Sequence, residues 1–403
     1  MITEKQEELL IKRFIDRINK ANEYFLKTIG NYIKQIKRLS PTKAHQLVQI
    51  LKYGGDYKKI LKELNKYTDI NIKDIETIFK EYAKKDAMFY EQFYQYRNKP
   101  FNSDLLDKEL KALSRVSQNV LYDYTRPNVL GFTIRDTKNN VVKFLNLKET
   151  YNMVLEQALL NVSQGKETFD VSMRKILEDI GSSGLRKVEY ESGRSYRLDS
   201  IVRMHLKDSL RDLHNRNVEL YGEEFDADGY EISVHGYPAE DHEDVQGRQF
   251  YKDDYEKLQK DGIAKDVNDK ERDIRIKGNF RPISTMKCYH FIFPIIVGVN
   301  KPEYTDKQLE EIKKQNRKGF DYEGKHYSMY EGTQLQRNIE RNIREQKDIQ
   351  ILARASGDEE FARSSQKKIN LLTKKYKEVS DVSGLPTQKN RMSVSGYKKI
   401  KTS

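Results

Sequence analysis

Tryptophan is absent from this 403-residue chain, cysteine occurs once, at Cys288, and proline occurs only eight times. A single cysteine excludes an internal disulfide and any zinc module built on several thiolates. No run is long and apolar enough for a membrane-spanning helix, and mean hydropathy is −0.85. Residues 2–20 alternate charge with hydrophobe, whereas a secretory signal needs a short uncharged apolar core. Also missing are a P-loop, a dinucleotide GxGxxG, a GxSxG elbow, an HExxH, an EF-hand loop and a CxxC. Together these absences point to a soluble, reduced protein, intracellular or carried in a particle.

Basic charge and phenolic rings are what the chain has in quantity. Lys and Arg number 74 against 62 Asp and Glu, a net charge of +12, and there are 26 Tyr and 16 Phe. Hydrophobic residues make up only 37%, but aromatics bury large areas and can sustain a sparse core. The positive excess favours an anionic neighbour, either nucleic acid or an acidic protein surface.

The fold class read from periodicity is α+β and predominantly helical. Residues 1–125 form an N-terminal helical region. Leu9, Leu10, Phe14, Ile15, Ile18, Phe25, Ile29, Ile33 and Ile36 recur at helical spacing there, and Ser40-Pro41 starts the next helix. Further helices are expected over Tyr57 to Leu64, Ile72 to Tyr96 and Ser103 to Tyr122. Residues 126–300 form a small central α+β domain. Phe132 to Ile134 and Val141 to Phe144 flank an Asn139-Asn140 turn as a hairpin. Helices are expected at Lys148–Val162, Thr168–Ile180 and Leu198–Tyr221, a short strand around Tyr230 to Val234, and a buried strand over Phe291–Val299. Residues 301–385 hold a capping box at Thr305 and Gln308, a small hairpin around Glu323-Gly324, and an antiparallel αα-hairpin turning at Gly357 and Asp358. Residues 386–403 read as a flexible basic tail.

One cluster stands out chemically. His235-Gly-Tyr-Pro-Ala-Glu-Asp-His242 precedes Gln246-Gly247-Arg248, and Cys288-Tyr-His290 comes later. Imidazoles and a thiolate are zinc ligands, so His235, His242, Cys288 and His290 are a candidate tetrahedral zinc set. Their spacing matches no common zinc finger, and a buried cysteine is often an inert small hydrophobe beside hydrogen-bonding histidines. The alternative function is a metal-dependent nuclease or a nucleic-acid-binding protein using the His235/His242 region; a nuclease would use His235 or His242 with Glu240, Asp241, Glu243 or Asp244 around a divalent ion. Ser192-Gly193-Arg194 reads as a turn or a phosphate-holding loop. Arg337, Arg341, Arg344 and Lys347 fall three or four residues apart on one helix face. They are candidate contacts for DNA or a partner, as are Lys398, Lys399 and Lys401 in the tail. A solvated helix face would look the same.

Several segments in order resemble one family, the phage minor capsid proteins (type 2), related to phage Mu-type head-morphogenesis proteins. The resemblance rests on Tyr190-Glu-Ser192-Gly193-Arg194 with Arg203 a few residues on, and then on Val234-His235-Gly236, His242 and Gln246-Gly247-Arg248. It continues through Cys288-Tyr289-His290-Phe291-Ile292-Phe293-Pro294, Pro302-Glu-Tyr304-Thr305 and the stretch from Tyr330-Glu331 through Thr333-Gln334 and Gln336-Arg337 to Arg344. Val245, Tyr289 and the Tyr237-Pro238-Ala239 stretch depart from the pattern and leave the His/Cys framework in place. The resemblance implies a non-enzymatic structural protein of the virion, near the portal inside the head, assisting head assembly and DNA packaging or ejection. It implies as partners the portal protein, the major capsid protein and the packaged DNA. It also implies a host-cytoplasmic stage during assembly, and makes residues 126–300 a head-morphogenesis-like domain.

Overall fold

In the N-terminal region, the apolar stripe of the opening segment produces α1 (Glu4–Lys37), the longest helix described. Its positions Ile11, Phe14, Ile18, Phe25, Ile29 and Ile36 are all buried. Around it lie α2 (Pro41–Tyr53), α3 (Asp56–Thr68), α4 (Ile72–Ala87), α5 (Glu91–Tyr96) and α6 (Asp107–Thr125). The computed structural model describes residues 4–96, 98–136, 141–163, 166–189, 191–269, 271–278, 281–285, 288 and 290–402. The Asn139-Asn140 turn, Tyr190 and Tyr289 lie outside those residues.

The single helix expected over Ile72 to Tyr96 is interrupted by a 3-10 turn at Met88–Tyr90. The interruption turns a set of rings inward: Tyr90 stacks on Tyr221 at 4.3 Å, and Tyr94 meets Phe225 edge-on at 5.0 Å. Ring-pair energy and burial together offset the loss of helical continuity. The helix expected from Ser103 begins later, at Asp107, because Asn102 accepts from the Asp104 N–H and holds the preceding turn.

Downstream, β1 (Leu130–Asp136) and β2 (Val141–Asn146) pair antiparallel, followed by α7 (Leu147–Ser163), α8 (Lys166–Ser183), β3 (Arg186–Val188) and β4 (Ser195–Arg197). These strands form one sheet in the order β2-β1-β3-β4. The long helix α9 (Leu198–Glu224) leads to β5 (Gly229–Ile232), β6 (Gln249–Tyr251), α10 (Lys252–Asp261), β7 (Ile263–Lys265), β8 (Asp273–Arg275) and β9 (Ile292–Ile295). The order β6-β5-β9 makes a small antiparallel sheet, and β7 with β8 makes a separate ribbon. β9 is shorter than the buried strand expected over Phe291–Val299. Asn300 accepts from the Ile296 N–H and Gly298 takes φ +83°, so the chain turns and Val299 is exposed.

The last part is α11 (Asp306–Lys318), the hairpin of β10 (Phe320–Tyr322) and β11 (Lys325–Tyr327), then α12 (Met329–Ser356) and α13 (Glu359–Ser383). Thr305 and Gln308 form the expected capping box. Gly357 at φ +80° ends α12, and Asp358 caps α13 through the Phe361 N–H.

The expected boundaries at 125/126 and 300/301 mark changes in element type, but the core runs across both. One apolar cluster joins Phe14, Phe79, Phe132, Leu155, Leu206 and Leu352. The helices of this core approach closely. A methyl group on Gly181 of α8 would lie 2.8 Å from the Ile349 nitrogen of α12, and one on Gly30 of α1 would meet the Ala355 Cβ at 2.5 Å. The segment read as a flexible tail is docked instead. Tyr397 donates its hydroxyl, and Ile400 its N–H, to Gln366 Oε1 at 3.0 and 3.1 Å, and Ser395 donates to Glu23. Apolar Val394 and the Tyr397 ring, resting on the main core, supply what the charge pattern hid. Lys398, Lys399 and Lys401 nevertheless remain exposed.

Candidate metal centre

Helix α9 sets the geometry. On one face, Arg211 donates to the His290 carbonyl at 2.6 Å and its guanidinium lies 3.7 Å over the Phe291 ring. One turn on, His214 Nε2 donates to the Ile292 carbonyl at 3.0 Å, while its Nδ1 sits 2.9 Å from Asp86. Asn215 donates to the Ser284 carbonyl and accepts the Ser284 hydroxyl. That clamp holds Ser284 at φ +56°, a conformation costing a non-glycine residue on the order of 1–3 kcal/mol. Ser284, His290 and Ile292 are thus fastened to a rigid helix by side chains at i, i+3 and i+4.

This arrangement brings three of the four sequence-nominated ligands together. The ligand atoms of His242, Cys288 and His290 all lie within 4.8 Å of one another. Cys288 Sγ is 3.6 Å from His242 Nδ1 and 3.5 Å from His290 Nδ1. All three residues are buried. His235 falls outside this group: its ring centroid is 6.0 Å from that of His290, and its Nδ1 accepts from the Tyr237 N–H. Leaving β5, the chain turns at His235-Gly236 and returns only at the 3-10 turn Glu240–His242, so just one of the two histidines reaches the sulfur.

The outer partners fix both tautomers. His242 Nε2 is 2.7 Å from the Arg281 carbonyl, which only accepts, so this nitrogen carries the hydrogen. Gln246 Oε1 accepts from the His235 backbone N–H at 2.9 Å and lies 3.2 Å from His290 Nε2, so that nitrogen donates as well. The Ser284 N–H points at Cys288 Sγ at 3.3 Å. Burial would raise the thiol pKa, but the contacts with His242 and His290 outweigh it and lower the value to about 5. Burial likewise opposes protonation of His242, yet Cys288, the Arg281 carbonyl and Asp241 shift it upward.

Cys288 and His290 face a cavity of about 560 Å³, shared with Lys207 and Arg211 of α9, the His235–Ala239 loop, Arg337 and Glu340 of α12, and Arg391 beyond α13. The carboxylates nominated for a nuclease site do not converge on it. Asp241 pairs with Arg281 at 3.1 Å, Asp244 with Lys313 at 2.6 Å, and Glu243 accepts from Asn316 and Arg317.

The remaining nominated residues occupy structural places. Ser192, Gly193 and Arg194 make the β3–β4 turn, with Gly193 at φ +67° and its N–H on the Glu189 carbonyl. Arg203 pairs with Glu8, tying α9 to α1. Gly247, at φ +68°, leaves room for Val234 and Leu309, and Pro294 packs on Gly222. The basic stripe of α12 is not a common phosphate-tracking face. Arg344 is only 16% exposed and paired with Asp199, and Lys347 donates to the Met392 carbonyl beneath Tyr397. Arg337 lines the cavity, and only Arg341 is well exposed, beside Asn338 and Glu345. The stripe is split in this way because α12 is enclosed by α1, α8, α13 and the docked tail.

Sequence reading missed a buried network on α12. Arg197 reaches Asp199 at 3.2 Å and Asp348 at 2.9 Å, and Asn22 of α1 donates to Asp348 at 3.0 Å. Asp348, beside Ile349 and Ile351 on the most enclosed stretch of that helix, was the available signal. The helical scaffold defines the class, a predominantly helical α+β protein whose long helices carry a small Cys/His loop region. The family model for phage minor capsid protein 2 matches residues 2–379, and the chain belongs to that family. Its role is therefore a structural one in the phage capsid, with other virion proteins as its partners. No curated protein and no solved structure matches the chain. No helix among the described residues is long and apolar enough to cross a membrane.

Proposed function

We propose that this protein is a portal-associated component of the head interior that assists head assembly and the packaging or ejection of DNA. The observation that carries the reading is the family match over residues 2–379. Two features support it. The net charge of +12 suits a surface turned toward packaged DNA, and Lys398, Lys399 and Lys401 stand exposed on a docked segment. The portal protein and the major capsid protein are the partners this position requires, and the chain joins them in the host cytoplasm during assembly. It acts as a scaffold, without turnover of a substrate.

Quantitative mass spectrometry of intact particles tests the proposal. The chain should be present in mature particles at a fixed ratio to the portal protein, and cross-links should join it to that protein. Its absence from mature particles, or cross-links confined to the outer capsid surface, would falsify it. Divalent-dependent DNA cleavage by the purified protein, abolished by His242→Ala, would instead favour the nuclease reading.

A further inference from the structure

We propose that His242, Cys288 and His290 form a zinc site, with the two Nδ1 atoms and the thiolate as ligands and a fourth position opening on the cavity. Both Nε2 atoms donate to oxygen acceptors, on Arg281 and Gln246, so in neutral rings both Nδ1 lone pairs face the same buried sulfur. A thiol has one proton and satisfies one of them, and the Ser284 N–H is already directed at the sulfur. One divalent cation satisfies both lone pairs and the thiolate together.

The spacing agrees. Zn–S and Zn–N bonds at tetrahedral angles place S and N roughly 3.6 Å apart, against 3.5 and 3.6 Å here. Thiolate and imidazole donors select zinc over magnesium or calcium. The Arg281 carbonyl and the Gln246 amide are the oxygen partners that orient metal-bound imidazoles. The ion would join the Glu240–His242 turn to Cys288 and His290 ahead of β9. His235, the fourth nominated residue, is not a ligand.

The test uses the full-length chain, loaded with zinc and dialysed against metal-free buffer. Elemental analysis should find about one zinc per chain, reduced at least about tenfold in His290→Ala and Cys288→Ser and unchanged in His235→Ala. Should those variants fail to fold, the wild-type chain still decides. Cobalt(II) should give sulfur-to-metal charge-transfer absorption, and alkylation of Cys288 should be slow until a chelator is added. Folded wild-type protein that retains no zinc, that keeps it equally well as Cys288→Ser, or that alkylates at one rate with and without metal overturns the proposal. These readouts concern the isolated chain, so they stand apart from its position in the particle.

Discussion

The helical body and the loop-rich region between β5 and β9 are ordered by different means. In the body, apolar residues from α1, α4, α7, α8, α9 and α12 share one large core, and the polar residues buried beside it include Asn22, Arg197 and Asp348, which bond one another. Between β5 and β9 the apolar cluster is small, with Ile232, Val245, Phe250, Leu258 and Ile283 among its members, packed with Val218 of α9. Much of the remaining connection is polar, running through Gln246, Arg211, Asn215 and the Cys/His group. A large apolar core tolerates the loss of one contact, whereas a polar lattice fails group by group, because each orphaned donor or acceptor is costly where it is buried. The body should therefore respond to substitutions that break packing or strand a charge, and the loop region to removal of single hydrogen-bonding groups.

The largest effect is expected at Arg197. Arg197→Ala leaves Asp199 and Asp348, both buried, without that guanidinium, and stranding a buried charge costs about 3–5 kcal/mol. Urea unfolding should show the loss as a lower midpoint across the whole body. A decrease confined to the loop region in hydrogen exchange would break the comparison. Replacing Arg197, Asp199, Asp348 and Arg344, the other partner of Asp199, together with apolar residues of similar size should recover much of the loss.

Next comes Gly181. Alanine is favoured over glycine in a helix by about 1 kcal/mol, so a helix-propensity argument expects Gly181→Ala to stabilise. The added carbon would lie 2.5–2.8 Å from Ile349 atoms, and overpacking of this kind costs about 1–3 kcal/mol. A thermal melt should therefore show a lower Tm. In the loop region, Gln246→Leu removes the shared acceptor of His235 N–H and His290 Nε2. It should cost about 1–3 kcal/mol, with amide exchange accelerated near His235 and His290 and unchanged in α1 and α12.

The same contrast governs what the sequence made legible. The stripe of α1, the capping box of α11 and the Gly357-Asp358 corner were readable because periodicity and end signals are local and α12 and α13 follow from them. The gathering of His242, Cys288 and His290 was readable only as residue chemistry; which histidine would be left out depended on the turn at His235-Gly236. The Arg197–Asp199–Asp348 network and the clamp of Arg211, His214 and Asn215 were not readable. In each, at least one decisive partner lies far away in the chain, as Asp348 does from Arg197, and a polar residue in a helix looks solvated until its neighbours are known. The basic stripe of α12 and the basic tail misled for this reason: charge pattern reports composition, and enclosure is decided by tertiary packing.

Acid should separate the two regions by a smaller margin. Burial opposes ionisation of Asp199, but Arg344 and Arg197 outweigh it and hold its pKa well below the usual range. A carboxylate with a depressed folded-state pKa contributes stability that is fully present above its unfolded value, about 3.9, and is lost as pH falls through the folded one. Asp348, pushed upward by burial, opposes that trend without reversing the contribution of Asp199. Unfolding midpoints taken at about pH 6 and about pH 3 should therefore converge in Asp199→Asn relative to the parent chain.

The smallest effect on stability, and the sharpest on partners, is expected at the docked tail. Lys398, Lys399 and Lys401 are exposed, so changing all three to Gln should alter stability by no more than about 0.5 kcal/mol. If these lysines face DNA, duplex binding measured by fluorescence anisotropy should weaken. The slope of log affinity against log salt should fall by roughly one for each phosphate contact removed. Arg344→Gln supplies the opposite signature. It removes one of the two guanidinium groups paired with Asp199 and lowers stability, but Arg344 is turned inward, so the salt slope should not change. An unchanged slope in the triple-lysine variant would move the DNA-facing surface away from the tail. A changed slope in Arg344→Gln would mean that the enclosed face of α12 opens when the chain meets its partner.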